Sequence, residues 1–148
     1  MRTLHVGLRV AELERSLAFY MGLGYELVGK VPETDFGSLT MLKLPGDEFA
    51  SLELVHDPRR DIVDPGGLNH LVVQVESMQA TVTRLTARGI EVEGPASPDG
   101  SAEFWTAWVT DPDGYRTELV QWPAGHPEGD DRSRLPRPGR SRLRIGAS

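Results

Sequence analysis

The sequence predicts an α+β fold made of two tandem βαβββ modules, and three observations carry that prediction. The first is internal repetition: Leu4-His5-Val6-Gly7-Leu8-Arg9-Val10 matches Asn69-His70-Leu71-Val72-Val73-Gln74-Val75 at an offset of 65 residues. The same offset sets Leu13 on Met78, Leu17 on Val82, Gly24 on Gly89, Glu26 on Glu91 and Gly29 on Gly94. It also sets Ser51-Leu52-Glu53-Leu54-Val55 on Arg116-Thr117-Glu118-Leu119-Val120. The second observation is the period: each copy opens on apolar alternation, passes to helical spacing and returns to alternation. The third is punctuation, with Pro45-Gly46-Asp47 and Asp111-Pro112-Asp113-Gly114 at equivalent places near the end of each copy.

Taken in order, the first strand is the alternating run 4–10, followed by a helix near 12–22 with Leu13, Leu17 and Tyr20 at i, i+4 and i+7. Strands near 25–30, 38–44 and 50–56 complete the first module, residues 1–56. A charged connector bearing Pro and Gly, Asp57 to Gly67, leads to the second module, residues 67–123. There the helix is expected near 77–88, with Ser77 as N-cap, Met78, Val82 and Leu85 on its buried face, and Gly89 ending it. Strands near 90–94, 104–110 and 115–122 follow. The two modules together, residues 1–123, are expected to form a curved mixed sheet around a cleft.

The last stretch, 124–148, has seven Pro or Gly and six Arg among its 25 residues, too few apolar groups to offset the entropy of ordering it, and reads as a disordered tail. Its Arg residues, set against Glu128, Asp130 and Asp131, leave the body of the chain at −9 within a net charge of −6. So acidic a body repels phosphate backbones and argues against nucleic acid as a partner. No apolar run approaches the roughly 20 residues of a membrane span, and no signal-peptide core follows Met1, so a soluble cytoplasmic protein is expected. With no cysteine, any metal ion must be held by His, carboxylate, backbone or water.

Alternation turns Leu4, Val6, Leu8 and Val10 to one face of the first strand and His5, Gly7 and Arg9 to the other. In the second module Leu71, Val73 and Val75 face one way, and His70, Val72 and Gln74 the other. Glu53 and Glu118 lie opposite the apolar residues of their strands. A single His or Glu on a polar strand face is ordinarily just a solvated side chain. Here each His precedes its Glu by 48 residues, in both modules, and the four supply two imidazoles and two carboxylates. His5, Glu53, His70 and Glu118 are therefore the expected ligands of one divalent ion, with nickel, zinc, cobalt or manganese all suited to the donors. His56 and His126 have no repeat partner and read as surface or loop residues, and Trp105 and Trp108 as core or cavity wall.

These motifs, with Arg15-Ser16-Leu17-Ala18-Phe19-Tyr20 and Asp111-Pro112-Asp113-Gly114-Tyr115-Arg116-Thr117-Glu118-Leu119, make residues 3–122 resemble the vicinal oxygen chelate superfamily, which includes the glyoxalase/bleomycin resistance proteins. Within it the chain resembles the bacterial glyoxalase I (lactoylglutathione lyase) family, whose His, Glu, His, Glu ligand pattern it matches at all four positions. Related epimerases carry Gln where Glu53 stands, related extradiol dioxygenases use two His and one carboxylate, and antibiotic-sequestering relatives generally lack the set. A different metalloenzyme on this scaffold (epimerase, dioxygenase or thiol transferase) and a non-catalytic ligand-sequestering protein are the alternatives. The resemblance implies isomerisation of the hemithioacetal of an α-ketoaldehyde such as methylglyoxal and a low-molecular-weight thiol. It implies Glu118 as catalytic base, Glu53 across the substrate, Arg9 as the group that holds a carboxylate of the thiol cosubstrate, and a site completed either within one chain or across a homodimer, of which the short connector favours the homodimer. Asp57 stands where glutathione-using relatives place Asn, and an extra carboxylate there is expected to repel glutathione.

Overall fold

In the computed structural model, which describes residues 1–126, the chain forms two four-stranded mixed sheets with one helix each. The first module runs β1 (Val6–Val10), α1 (Leu13–Leu23), β2 (Glu26–Val31), β3 (Ser38–Lys43) and β4 (Leu52–His56). The second runs β5 (Leu71–Gln74), α2 (Met78–Ala87), β6 (Glu93–Ala96), β7 (Trp105–Thr110) and β8 (Arg116–Gln121). The spatial orders, β1-β4-β3-β2 and β5-β8-β7-β6, are the same permutation, as a duplicated unit requires. In each sheet the first strand pairs parallel with the last, and the remaining neighbours are antiparallel. The fold is α+β, and no helix among the described residues is long and apolar enough to cross a membrane.

The alternation read from the sequence is the alternation of burial. Leu8, Val10, Leu52 and Leu54 are buried in the first module, and Leu85, Ala107, Val109 and Leu119 in the second, in one continuous core. Both helices end where expected. Gly24, with φ of 118°, takes the left-handed position that a side chain resists, and Tyr25 N donates to Tyr20 O beyond it. At α2 the cap is as anticipated, with Ser77 Oγ accepting from Ala80 N at 3.2 Å.

Three local expectations are corrected. The first ladder bond of β1 is Val6 N to Ser51 O, so Leu4 lies outside the strand and is exposed, and His5 and His70 each sit one residue ahead of theirs. β6 starts later than 90 because Ile90 N still donates to Leu85 O, closing α2. At the other end Ala124 to His126 continue the folded body: His126 stacks on Trp122 at 4.2 Å between ring centroids, and Trp122 on Phe104 at 5.2 Å. The rest of the expected tail lies outside the described residues.

What joins the modules is a set of polar contacts onto α1. Its N-cap, Glu12, makes no side-chain capping bond, and the second module brings a carboxylate to this end of the helix. Asp113 accepts from Ala11 N at 3.2 Å and from Ser16 Oγ at 3.1 Å. Arg84 donates to Gly22 O and Leu23 O, and Arg88 to Gly22 O, at the other end of the helix. An acidic group at the N-terminus and two basic groups at the C-terminus match the sign of the helix dipole. Between them the buried Tyr20 hydroxyl donates to Asp111 Oδ2 at 2.8 Å, while Asp111 Oδ1 accepts from the Asp113 and Tyr115 amides. Burial pushes the pKa of both Tyr20 and Asp111 up. The Asp-Pro-Asp-Gly-Tyr turn is thus the clasp between the two modules.

Candidate metal centre

Each module builds half of a site at the start of its first strand. His5 Nε2 lies 3.2 Å from Glu53 Oε2, and His70 Nε2 lies 3.5 Å from Glu118 Oε2. The parallel pairing of β1 with β4 and of β5 with β8 makes this happen, setting Gly7 beside Glu53 and Val72 beside Glu118. Glu53 Oε1 leans over Gly7, 3.5 Å from where a Cβ would stand, which puts both on one face of the sheet. The carboxylates are the more enclosed partners, with Glu53 and Glu118 side chains 14% and 23% exposed against 33% and 31% for the imidazoles.

Two donors each about 2.1 Å from a shared ion stand roughly 3.0–3.4 Å apart, depending on the angle between them. Both His–Glu separations lie close to that span, so each pair is shaped to grip one ion. The second imidazole is also oriented: Asn69 Oδ1 faces His70 Nδ1, and a proton held there leaves the Nε2 lone pair toward Glu118. Trp108 is the register partner of Glu118 and packs edge-on against His70, with ring centroids 5.0 Å apart. Arg116 caps the same indole at 4.5 Å and pairs with Glu93 at 2.7 Å. Trp108 is therefore a wall of the second half-site, and Trp105 packs partly buried against the core.

The structure does not bring the four ligands together in one chain. Among the described residues no three of His, Cys, Asp and Glu stand close enough to hold an ion. The half-sites lie on separate sheets of the chain, with the modules tied through α1 and the Asp111–Tyr115 turn. His56, at the end of β4, and His126 take no part in either half-site.

Arg9 is half-buried, register-paired with Val55, and its Nη1 is buried with no hydrogen-bond partner. Asp57 has a partner within its own turn. It is 5% exposed, and its carboxylate is gripped by Arg59 through Nε at 2.9 Å and Nη2 at 3.0 Å, with the Arg59 amide donating as well. Hydrogen bonds from the Arg59 guanidinium, then from its amide, hold the Asp57 pKa down at about 2. The extra charge is answered inside its own turn, so Asp57 does not stand as a free anion facing the site. Trp108 stands as the cavity wall it was expected to be, while the parts played by Arg59 and Asn69 were missed by sequence reasoning. The signal for Arg59 was its spacing from an Asp at a turn.

Comparison with known proteins shows which family the fold belongs with. The family model of the Glyoxalase/Bleomycin resistance protein/Dioxygenase superfamily matches residues 2–119. A lactoylglutathione lyase of Neisseria meningitidis is 37% identical over 131 residues, spanning 84% of this chain and 94% of its own. Among solved structures, glyoxalase I from Zea mays superposes with a TM-score of 0.71 at 27% identity, covering 82% of this chain but 45% of the maize chain. The trypanothione-dependent glyoxalase I of Leishmania major superposes with a TM-score of 0.67 at 26% identity, covering 82% of this chain and 86% of the other.

Proposed function

The chain belongs to the Glyoxalase/Bleomycin resistance protein/Dioxygenase superfamily, and we propose that it is a glyoxalase I-type lyase, a cytoplasmic homodimer that converts the hemithioacetal of methylglyoxal and a low-molecular-weight thiol to a 2-hydroxyacyl thioester. The single observation that carries this reading is the pair of matched His–Glu half-sites, each complete in itself and each half of a four-ligand set. His5 and Glu53 of one chain, with His70 and Glu118 of a second, would hold one divalent ion. When bound, that ion supplies Lewis acidity toward the two oxygens of the substrate as negative charge develops on them.

The residues of the chain account for the rest. A hydrogen on carbon beside a carbonyl is too weakly acidic to leave unaided at neutral pH, and moving it to the neighbouring carbon needs a base within reach of both. Glu118 is assigned as that base. It takes the proton from one carbon and returns it to the next, while Glu53 flanks the substrate from the other module. The Trp108 indole closes the second half-site on one side and limits water there. Arg9, with a buried Nη1 that has no partner, holds a carboxylate of the thiol portion. A ligand-sequestering role would need neither the second carboxylate nor an oriented imidazole.

The test is metal analysis of the purified chain followed by a methylglyoxal assay with several thiols. One ion per composite site and thioester formation with at least one thiol are expected. His70→Ala should abolish the bound ion, and full retention of metal by that variant would contradict the ligand assignment.

A further inference from the structure

The departure at Asp57 has a structural answer that bears on which thiol the site accepts. Arg9 is paired in register with Val55 across β1 and β4, and Asp57 follows Val55 by two residues. Arg9 and Asp57 are therefore opposite charges at the same end of neighbouring strands, residue types that pair where their side chains can meet. The structure shows a different pairing. Both Asp57 oxygens are taken by the Arg59 guanidinium, with Arg60 Nε 4.0 Å from Oδ2, while Arg9 keeps a buried Nη1 without a hydrogen-bond partner. A buried cationic donor without an acceptor is unfavourable in the free protein and is relieved when an anionic oxygen arrives.

We propose that Arg59 is a specificity-determining residue of the first half-site: by holding the Asp57 carboxylate in its own turn, it leaves Arg9 open to a carboxylate-bearing thiol portion of the substrate. This rests on the glyoxalase-type reading of the site and narrows it to anionic thiols, the opposite of what an Asp at position 57 implies on its own. Arg59 acts through Asp57 and Arg9, so it is a positioning residue. Its side chain is largely exposed, and a smaller residue there leaves no hole in the core.

The experiment uses the full chain with its metal ion and measures binding of S-methylglutathione, an unreactive peptide thioether with two carboxylates, by calorimetry. Removal of Arg59 frees Asp57 to pair with Arg9 and to repel the peptide. Arg59→Ala should weaken binding about tenfold or more, the scale of one lost charge contact at a site of this exposure. Adding Asp57→Asn to Arg59→Ala removes the freed charge and should restore affinity to within about threefold of the parent, a non-additive pair. Arg59→Lys, which keeps the charge but not the two-pronged grip, should fall between the parent and Arg59→Ala. Parental affinity in Arg59→Ala, or a double variant as weak as Arg59→Ala, would overturn the proposal. So would a parent that ignores S-methylglutathione yet turns over methylglyoxal with neutral 2-mercaptoethanol, an outcome that leaves the lyase reading standing. Binding with the expected variant pattern, but no turnover with any thiol, would uphold Arg59's role and sink the lyase reading.

Discussion

Mixing two chains, each broken in a different half-site, tests how the metal centre is assembled. Within one chain His5 meets Glu53 and His70 meets Glu118, but among the described residues no third ligand approaches either pair. A site shared across a two-fold dimer takes one half from each chain, so a dimer of His5→Ala chains has two broken sites, and so does a dimer of His70→Ala chains. A heterodimer of the two is different. One of its sites combines both substitutions, and the other combines two intact halves. Random pairing makes about half of all dimers heterodimers, so about one quarter of the sites should be whole. Co-expressed chains carrying different affinity tags should show about one quarter of the parent's bound metal and turnover, against near zero for either variant alone. Purified by both tags in sequence, the heterodimer should show about half. If all four ligands came from one chain, every site in every mixture would lack an imidazole. Doubly tagged heterodimer with no more metal or activity than the single variants would refute the shared site.

Three further outcomes follow from the same contacts. Glu118→Gln keeps the shape and an oxygen donor but cannot take a proton; it should retain most of its metal, lose at least about a hundredfold in turnover, and stop exchanging the substrate's carbon-bound hydrogen with solvent deuterium. A variant within about tenfold of the parent, a barrier change of about 1.4 kcal/mol, would move the base elsewhere, with Glu53 next to be tested. Tyr20→Phe deletes a fully buried hydroxyl that donates to the Asp111 carboxylate and should destabilise the chain by about 1.5–3 kcal/mol, read as a lower urea midpoint at unchanged slope; an unmoved midpoint would show that the clasp contributes nothing. Asp57 has a folded pKa of about 2 against an ordinary 3.8, so its ion pair adds stability above about pH 4 that is lost as pH falls through about 2. Asp57→Asn should therefore lose stability less steeply than the parent between those limits, and parallel curves of urea midpoint against pH would be the contrary result.

The elements and the candidate ligands were legible in the sequence because they rest on local periodicity and on repetition. Alternation in Leu8, Val10, Leu52 and Leu54 is the burial pattern of β1 and β4, and the offset of 65 that aligns the strands also aligns His5 with His70 and Glu53 with Glu118. A repeat reports which positions are equivalent, and equivalent positions in equivalent modules carry equivalent side chains to the same face. The same signal places Ser77 at the start of α2, because a cap needs only its own next three residues.

Other features depended on groups that meet only after folding. The bonds from Ala11, Ser16 and Tyr20 to the Asp111–Tyr115 turn span 91 to 102 residues, and nothing in the periodicity of either segment announces them. They hold the modules so that the half-sites stay apart in the isolated chain, a matter of rigid-body placement to which strand alternation is blind. Asp57 makes the same point on a smaller scale. As a residue type it reads as a repelling charge beside the site, whereas in the folded chain the Arg59 guanidinium closes on it and Arg9 is left unpaired. Composition and spacing determined which charges the chain carries and which faces they occupy. Only the tertiary structure decided which charge meets which, because Coulomb and hydrogen-bond energies depend on distances of a few ångströms that no one-dimensional pattern contains.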